Sequence, residues 1–433
     1  YIEWESKFFN GPGVNKSGLT NDGVNANGSE RAWSAASKEA IHLCLLSRRL
    51  SMPSPLCEHL MPVDDAIQTL HKKADQYDNF RKRHPHFHGF LPWFLSPSLE
   101  PTRDWSSKWP CLDNGQFAWA LYESIHATSN YGEKELSSRL KAHFDEMCEY
   151  AVLGGYAKDG RIAMICNIEG KDFSPQGYDP MPWDQEPFSY FVDLFGNWEK
   201  AGYNLDEREK LWKDPKRARM AARVEMDTPD GPIAVLKGWH FSSHEMWKYL
   251  QLPLRNIDCT RNVLLNGERA RTHFASVNHI PGLLASCTAP DSTYFDRAGI
   301  AEGISCLHAS CTKLLTPYGG FPTILADEAT GAAWLLSILK GKGMQGHLGS
   351  SESIWADGSA ACRILTWDAK VTTVLAVLGG GDHLEAYLRA DKVWDRFHAI
   401  TNIIYDEKFG GQLPGSDFPF CMPAATFDAG SCT

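Results

Sequence analysis

The dominant period along this chain is helical, and it recurs in about a dozen segments with no strand–helix–strand alternation. Arg31 to Leu50 places Trp33, Ala36, Ile41, Leu45 and Leu46 on one helical face. A second helix is expected from Asp113 or Asn114, either serving as N-cap, through Phe117, Leu121 and Ile125 to Thr128. Glu133 to Tyr150 follows, with Leu136, Leu140, Phe144 and Met147 at helical spacing. The same period fits Phe188–Ala201, Glu207–Trp212, Ser243–Leu250, Cys259–Ser276, Gly299–Leu315, Asp327–Leu339, Trp355–Leu378 and Val393–Ile404. Strand-like runs are few, at Arg161–Ile168 and Ile233–Leu236. Long loops carry most of the Gly, Pro and Trp, at Ser51–Pro62, His84–Pro110, Asp172–Pro187 and Gly341–Ile354.

This pattern predicts an all-α class. No repeat of fixed period is visible, which argues against a simple solenoid. A toroid of helical hairpins, an inner ring within an outer one, accommodates the helix count and builds a groove from its loops. No shift of composition marks a boundary, so residues 1–433 read as one domain, with 1–30 an irregular N-terminal extension.

Composition narrows the partners. With 433 residues, 43% hydrophobic and 22% charged, the chain can bury a large core. A net charge of −10 offers nothing to offset phosphate repulsion, so nucleic acid is not expected, while a neutral substrate is compatible with that balance. The longest apolar run, Ala332 to Leu339, is interrupted by Ser337 and is too short to span a bilayer. A monomer without a membrane partner is expected. Two sequons, Asn15-Lys16-Ser17 and Asn27-Gly28-Ser29, lie in the Gly/Asn/Ser-rich opening and point to a secreted glycoprotein, although about two such triplets arise by chance at this length. Cysteines are too dilute for a disulfide scaffold. Cys44, Cys148, Cys166 and Cys362 sit in apolar surroundings, whereas Cys57, Cys111, Cys421 and Cys432 near loops are the better candidates for pairing.

Two segments place aromatic rings beside carboxylates. Trp239, His240, His244, Glu245, Trp247 and Tyr249 form one, and Trp183, Asp184, Glu186, Phe188 and Tyr190 the other. Aromatic faces stack on pyranose rings, while carboxylates bind hydroxyls and exchange protons at a scissile bond. Ordinary cores also use Trp and Tyr. Glu245 follows Ser242 by three, which is a capping box at a helix start and a structural reason for its presence. A helix N-terminus favours its charged form; an aromatic wall keeps it protonated, as a general acid requires. Asp184 and Glu186, with Pro187 fixing the turn that follows, either bind sugar hydroxyls or cap the next helix. Asp113 reads as an N-cap first and a ligand contact second. Asp428 stands in a plain stretch near the C-terminus, where a solvated Asp is the default.

Other motifs lead nowhere. His84, His86 and His88 alternate as strand-borne metal ligands would, but Arg81, Lys82 and Arg83 precede them and no carboxylate is adjacent in sequence. Gly379-Gly380-Gly381 follows a helix and reads as its stop signal. The serine-hydrolase elbow, zincin, P-loop and dinucleotide fingerprints are absent.

The runs Trp109-Pro110-Cys111-Leu112-Asp113-Asn114-Gly115, Gly238 to Trp247 and Gly320-Phe321-Pro322-Thr323 resemble fungal endo-β-1,2-glucanases of glycoside hydrolase family 162, and the likeness extends over the whole chain. The resemblance implies an (α/α)6-toroid that cleaves β-1,2-glucan internally to sophorooligosaccharides with anomeric inversion, and no metal or organic cofactor. It implies Glu245 as general acid, reaching the glycosidic oxygen through a substrate hydroxyl, and Asp428 as general base through a water relay. Such relays relax the carboxylate separation of about 6.5–9.5 Å that simpler inverting enzymes need. It leaves Trp183, Asp184, Glu186, Trp239, His240, His244 and Asp113 as expected substrate contacts. Asp184, Glu186, Asp113 and Asp406 remain alternatives for the base. Two other readings stand beside this one: a toroidal glycosidase or lyase on another polysaccharide, and a non-catalytic glucan-binding module. A lyase would need a cationic groove or Ca²⁺ for uronic acids, which the acidic aromatic segments disfavour.

Overall fold

The computed structural model describes residues 1–52, 54–157, 160–170, 172–179, 186–213, 222–296, 298–300, 304–305 and 313–427. In chain order its helices are α1 (Ile2–Phe9), α2 (Ala36–Ser51), α3 (Pro55–Glu58), α4 (Val63–Arg83), α5 (Cys111–Tyr131), α6 (Lys134–Gly155), α7 (Glu186–Phe195) and α8 (Leu205–Lys213). There follow α9 (Lys248–Gln251), α10 (Asp258–Val277), α11 (Phe321–Ala326), α12 (Glu328–Leu339), α13 (Trp367–Val377), α14 (Leu384–Ala390) and α15 (Trp394–Phe409).

Two kinds of helix alternate. α2, α5, α7, α9, α11 and α13 are buried nearly all round, as helices inside a protein must be. The others bury one stripe: Leu70, Ala74, Tyr77 and Phe80 on α4, or Leu136, Leu140, Phe144 and Met147 on α6. The fully buried helices close a ring. α2 packs on α5 and α13, α5 on α7, α9 on α5 and α7, and α11 on α13 and on the 3-10 turn Ser243–Met246 that leads into α9. Each inner helix is preceded by an outer one (α1, α4, α6, α8, α10, α12), which makes the fold an (α/α)6-toroid. One contiguous apolar core runs from Ile2 to Phe427.

The opening thirty residues carry one helix and one short strand that tie into the ring. α1 buries Ile2, Phe8 and Phe9, and its Glu5 pairs with the buried Lys370 of α13 at 3.0 Å. Gly23–Val24 forms an antiparallel pair with Leu365–Thr366. A Cβ on Gly23 would lie 2.0 Å from the Leu365 carbonyl oxygen, so only glycine permits that pairing.

Several sequence expectations change. α4 was not anticipated, because its stripe is diluted by charge. Residues 30–34 form two short strands before α2 begins, and α13 starts only at Trp367, since Ile354–Trp355 and Leu365–Thr366 are strands. Within the expected helix Gly299–Leu315, Leu314–Leu315 is a strand pairing Ile354–Trp355. Asp113 and Asn114 lie inside the first turn of α5, whose N-cap is Pro110. Cys57, Cys111 and Cys421 are unpaired, as are Cys44, Cys148, Cys166 and Cys362; Cys432 lies outside the described residues. Among the described residues no helix is long and apolar enough to cross a membrane.

Candidate active site

The turn ahead of α9 is built around Glu245. Phe241 sits at φ 52°, a left-handed conformation uncommon for a bulky residue, and its buried ring anchors it there. Ser242 is then extended and opens the 3-10 turn Ser243–Met246. The Glu245 carboxylate folds back onto this loop: Oε1 accepts the N–H of His240 at 2.7 Å and, more weakly, that of Ser242 at 3.4 Å. The capping-box geometry read from the sequence is therefore real. Gly238 makes room for it, since a Cβ there would stand 2.2 Å from Glu245 Oε2.

Beneath the turn lies a buried chain of charge. Arg271 donates to the Ser243 hydroxyl, to the Gly319 carbonyl at 2.8 Å and to Glu268 at 3.1 Å. Glu268 in turn accepts from the Thr323 hydroxyl at 2.7 Å, and burial pushes its carboxyl up despite Arg271. Thr323 belongs to the Gly320–Thr323 run, so two of the segments singled out in the sequence are wired together. On the other side of the turn, Lys248 donates to Glu186 at 2.8 Å and to the Tyr405 hydroxyl at 2.8 Å, while Tyr405 donates to Glu186 at 2.7 Å. Glu186 is 0% exposed. The expected sugar contact for Glu186 thus gives way to a structural ion triad, which also removes it as an alternative base.

The residues flanking Glu245 open into a cavity of about 430 Å³, lined by His244 and Trp247 and closed by parts of several other elements. Lys38, Asp113 and Asp368 line it from the first turns of α2, α5 and α13. It therefore sits at the N-terminal end of the inner ring. Helix dipoles there favour the two aspartates and oppose the lysine. Lys38 is held by Asp368 at 2.5 Å; burial pulls its pKa down, but Asp368, Asp22 and Asp113 together carry it above the ordinary lysine value. Asp22 pairs with Arg31 at 3.1 Å, and Asp113 accepts from the Trp93 indole at 3.1 Å. Burial pushes both carboxyls up against the pull of these partners. Trp33 and Trp93 stack at 5.4 Å to form an aromatic wall, and the half-exposed Tyr294 stands at the mouth.

Of the expected substrate contacts, His244 and Asp113 line the cavity. Glu245 stands behind it. Trp239 stacks on the nearly buried His240 at 5.3 Å beside the turn. Trp183, Asp184 and Asp428 lie outside the described residues. Asp406 is exposed on α15, after the Tyr405 that joins the triad. Sequence reasoning missed Asp22, Lys38, Glu352, Asp368, Trp33, Trp93 and Tyr294. The available signal was positional: charged residues in the first turns of helices apolar all round. His84 contacts Glu100 at 2.9 Å and His88 stacks on Tyr150 at 3.5 Å, away from this cavity. Among the described residues no group of three His, Cys, Asp or Glu is arranged to hold a metal ion.

Comparison with known proteins agrees with this architecture. The sequence profile of a family described as endo-beta-1,2-glucanase SGL matches residues 17–432. The chain is similar to the endo-beta-1,2-glucanase of Talaromyces funiculosus solved with sophorose, at 32% identity and a TM-score of 0.92, over 99% of this chain and 93% of that one. A glutamate-to-glutamine mutant of that enzyme, solved with beta-1,2-glucan, is similar at 31% identity and a TM-score of 0.92, over 100% and 95% of the two chains. An endo-beta-1,2-glucanase from Chitinophaga pinensis shares the fold, at 12% identity and a TM-score of 0.63 over 93% and 96%. A search of curated proteins returns no significant match.

Proposed function

The chain belongs to the endo-β-1,2-glucanase SGL family, glycoside hydrolase family 162, and from that premise we propose how its site cleaves β-1,2-glucan and where the protein works. It is an endo-β-1,2-glucanase. The observation that carries the proposal is the placement of Glu245 on a backbone-braced turn whose flanking residues line an aromatic, carboxylate-rich cavity.

Glu245 acts as general acid. Its Oε1 accepts the backbone N–H groups of His240 and Ser242, which fix the carboxyl in one orientation with Oε2 beside Gly238. Glu245 itself does not line the cavity, although His244 beside it does, which suits delivery through a substrate hydroxyl rather than direct contact with the glycosidic oxygen. The Talaromyces mutant complex supports a glutamate in this part: the acid-to-amide change goes with bound β-1,2-glucan. Asp428 acts as general base on the attacking water, and cleavage inverts the anomeric centre in one displacement. Trp33, Trp93 and Trp247 offer ring surface to the sugar, while His244, Lys38 and Asp113 contribute its polar contacts.

Incubation with linear β-1,2-glucan followed by product sizing is expected to give sophorooligosaccharides, with β-1,3- and β-1,4-glucans left intact. Equal activity on a β-1,4-glucan would defeat the specificity.

We also propose that the protein is secreted and carries a glycan at Asn27. Asn27 is exposed, and its Oδ1 accepts the Ser29 hydroxyl at 2.7 Å, leaving the amide nitrogen outward. Asn15 is half-buried and its Nδ2 donates to the Ser96 carbonyl at 2.7 Å, a bond that a glycan would break. Protein from a secretory host should lose mass on N-glycan removal, and Asn27→Gln should remove that shift entirely. A residual shift in the variant would place a glycan on Asn15 as well.

A further inference from the structure

The cavity carboxyls are not treated alike. Asp22 has Arg31, Asp368 has Lys38, and Asp113 has the Trp93 indole. Glu352 has no ion-pair partner among the described residues, although it is only 2% exposed and lines the same cavity. Its donors are neutral: the Thr288 N–H reaches Oε1 at 3.2 Å, and the Thr366 hydroxyl reaches Oε2. Thr288 belongs to the hairpin that carries Tyr294, and Thr366 precedes α13. The carboxyl is thereby pinned between two elements, with the cavity as its open side.

We propose that Glu352 is a specificity-determining residue that donates a hydrogen bond to a glucosyl hydroxyl of the bound chain, and that ionising it weakens substrate binding. This rests on the β-1,2-glucanase reading of the cavity. A buried carboxyl without a cation is stabilised in its neutral form, and a neutral carboxylic acid both donates and accepts, matching a sugar hydroxyl. Its oxygens already accept one bond each, so the acid proton is the hydrogen left to give. Burial, with Asp368 adding to it, pushes the Glu352 pKa up to about 7. Above that pH the cavity gains an anion beside Asp368 and loses its donor.

The groups facing Glu352 are Asp368 and Lys370 on α13, Lys38 on α2, Tyr294 on the hairpin, Tyr318 on the 3-10 turn Pro317–Gly320, and Cys362. Burial holds the hydroxyl of Tyr318 and the thiol of Cys362 above their usual values, so neither titrates near neutrality. His244 lines the cavity and is the competing source of a pH effect.

The test is KM and kcat for β-1,2-glucan from pH 5 to 9, for the natural protein and for Glu352→Gln. The natural protein should show KM rising about tenfold as pH passes through 7, the cost of leaving a buried polar contact unmade. Glu352→Gln, whose amide donates at every pH, should start from a somewhat higher KM and lose that rise, with the loss confined to KM. Circular dichroism confirms that the variant folds, and Glu352→Asp, which keeps titration but shortens reach, should keep a pH-dependent KM. A KM rise that persists in Glu352→Gln assigns the titration to His244 and overturns the proposal. So does a fall of about 100-fold in kcat at unchanged KM, which would make Glu352 a proton donor in the reaction. An active natural protein with a pH-independent KM overturns this inference alone; no activity on β-1,2-glucan at any pH overturns the reading of the site and the inference with it.

Discussion

Glu245→Gln is expected to lower turnover by at least ~100-fold, the lower range for loss of a general acid, while thermal stability changes little. The amide keeps the size of the side chain and can still accept the His240 N–H now made at 2.7 Å. Only the transferable proton is lost. Retention of near-normal turnover would mean that the residue serves the turn and nothing more. Gly238→Ala is the companion variant. Its Cβ would occupy space 2.2 Å from Glu245 Oε2, and the far end of a glutamate is cheaper to move than backbone. It should lower kcat in the same direction through displacement of the carboxylate, in a protein that still folds.

Asp428→Asn is expected to abolish turnover and leave glucan binding largely intact, because an amide still hydrogen-bonds but cannot take a proton from water. The accompanying measurement is stereochemical. A single displacement on a β-linkage delivers the α-anomer first, with no covalent glycosyl intermediate. Early-time NMR of the new reducing end reads this directly. Release of the β-anomer would indicate a double displacement and remove the water-activating role of Asp428.

The ring was legible in the sequence where helices were strongly apolar, as in α5 and α6, and illegible where charge diluted the stripe. α4 keeps Leu70, Ala74, Tyr77 and Phe80 in register, yet Lys72, Lys73 and the residues around them mask the period. Lys73 itself is buried against Glu39 at 2.6 Å, an ion pair that no local pattern announces. The opposite error came from apolar residues that serve strands: Trp33, Trp355 and Leu365 belong to short antiparallel pairs whose partners are remote in sequence. The site divides in the same way. Glu245, His244 and Trp247 were visible because they cluster in one turn. Asp22, Lys38, Glu352 and Asp368 were not, because the first two enter the cavity from the α1–α2 hairpin and the last two from the α12–α13 hairpin, and only ring closure makes the two pairs neighbours.

That closure is made by the pairing of Gly23–Val24 with Leu365–Thr366, reinforced by Glu5 and Lys370. It is a clasp between the first and last hairpins, and cavity charges stand along its seam: Asp22 adjoins the paired strand Gly23–Val24, while Lys38 and Asp368 bridge the helices that follow. On the proposed reading of the cavity, recognition and ring closure draw on the same groups. A sugar that bridges α2 and α13 binds only the clasped form, so its free energy of binding adds to the free energy holding the two ends together. An occupied enzyme is harder to open than an empty one, and a chain that has lost its clasp has lost its cavity too.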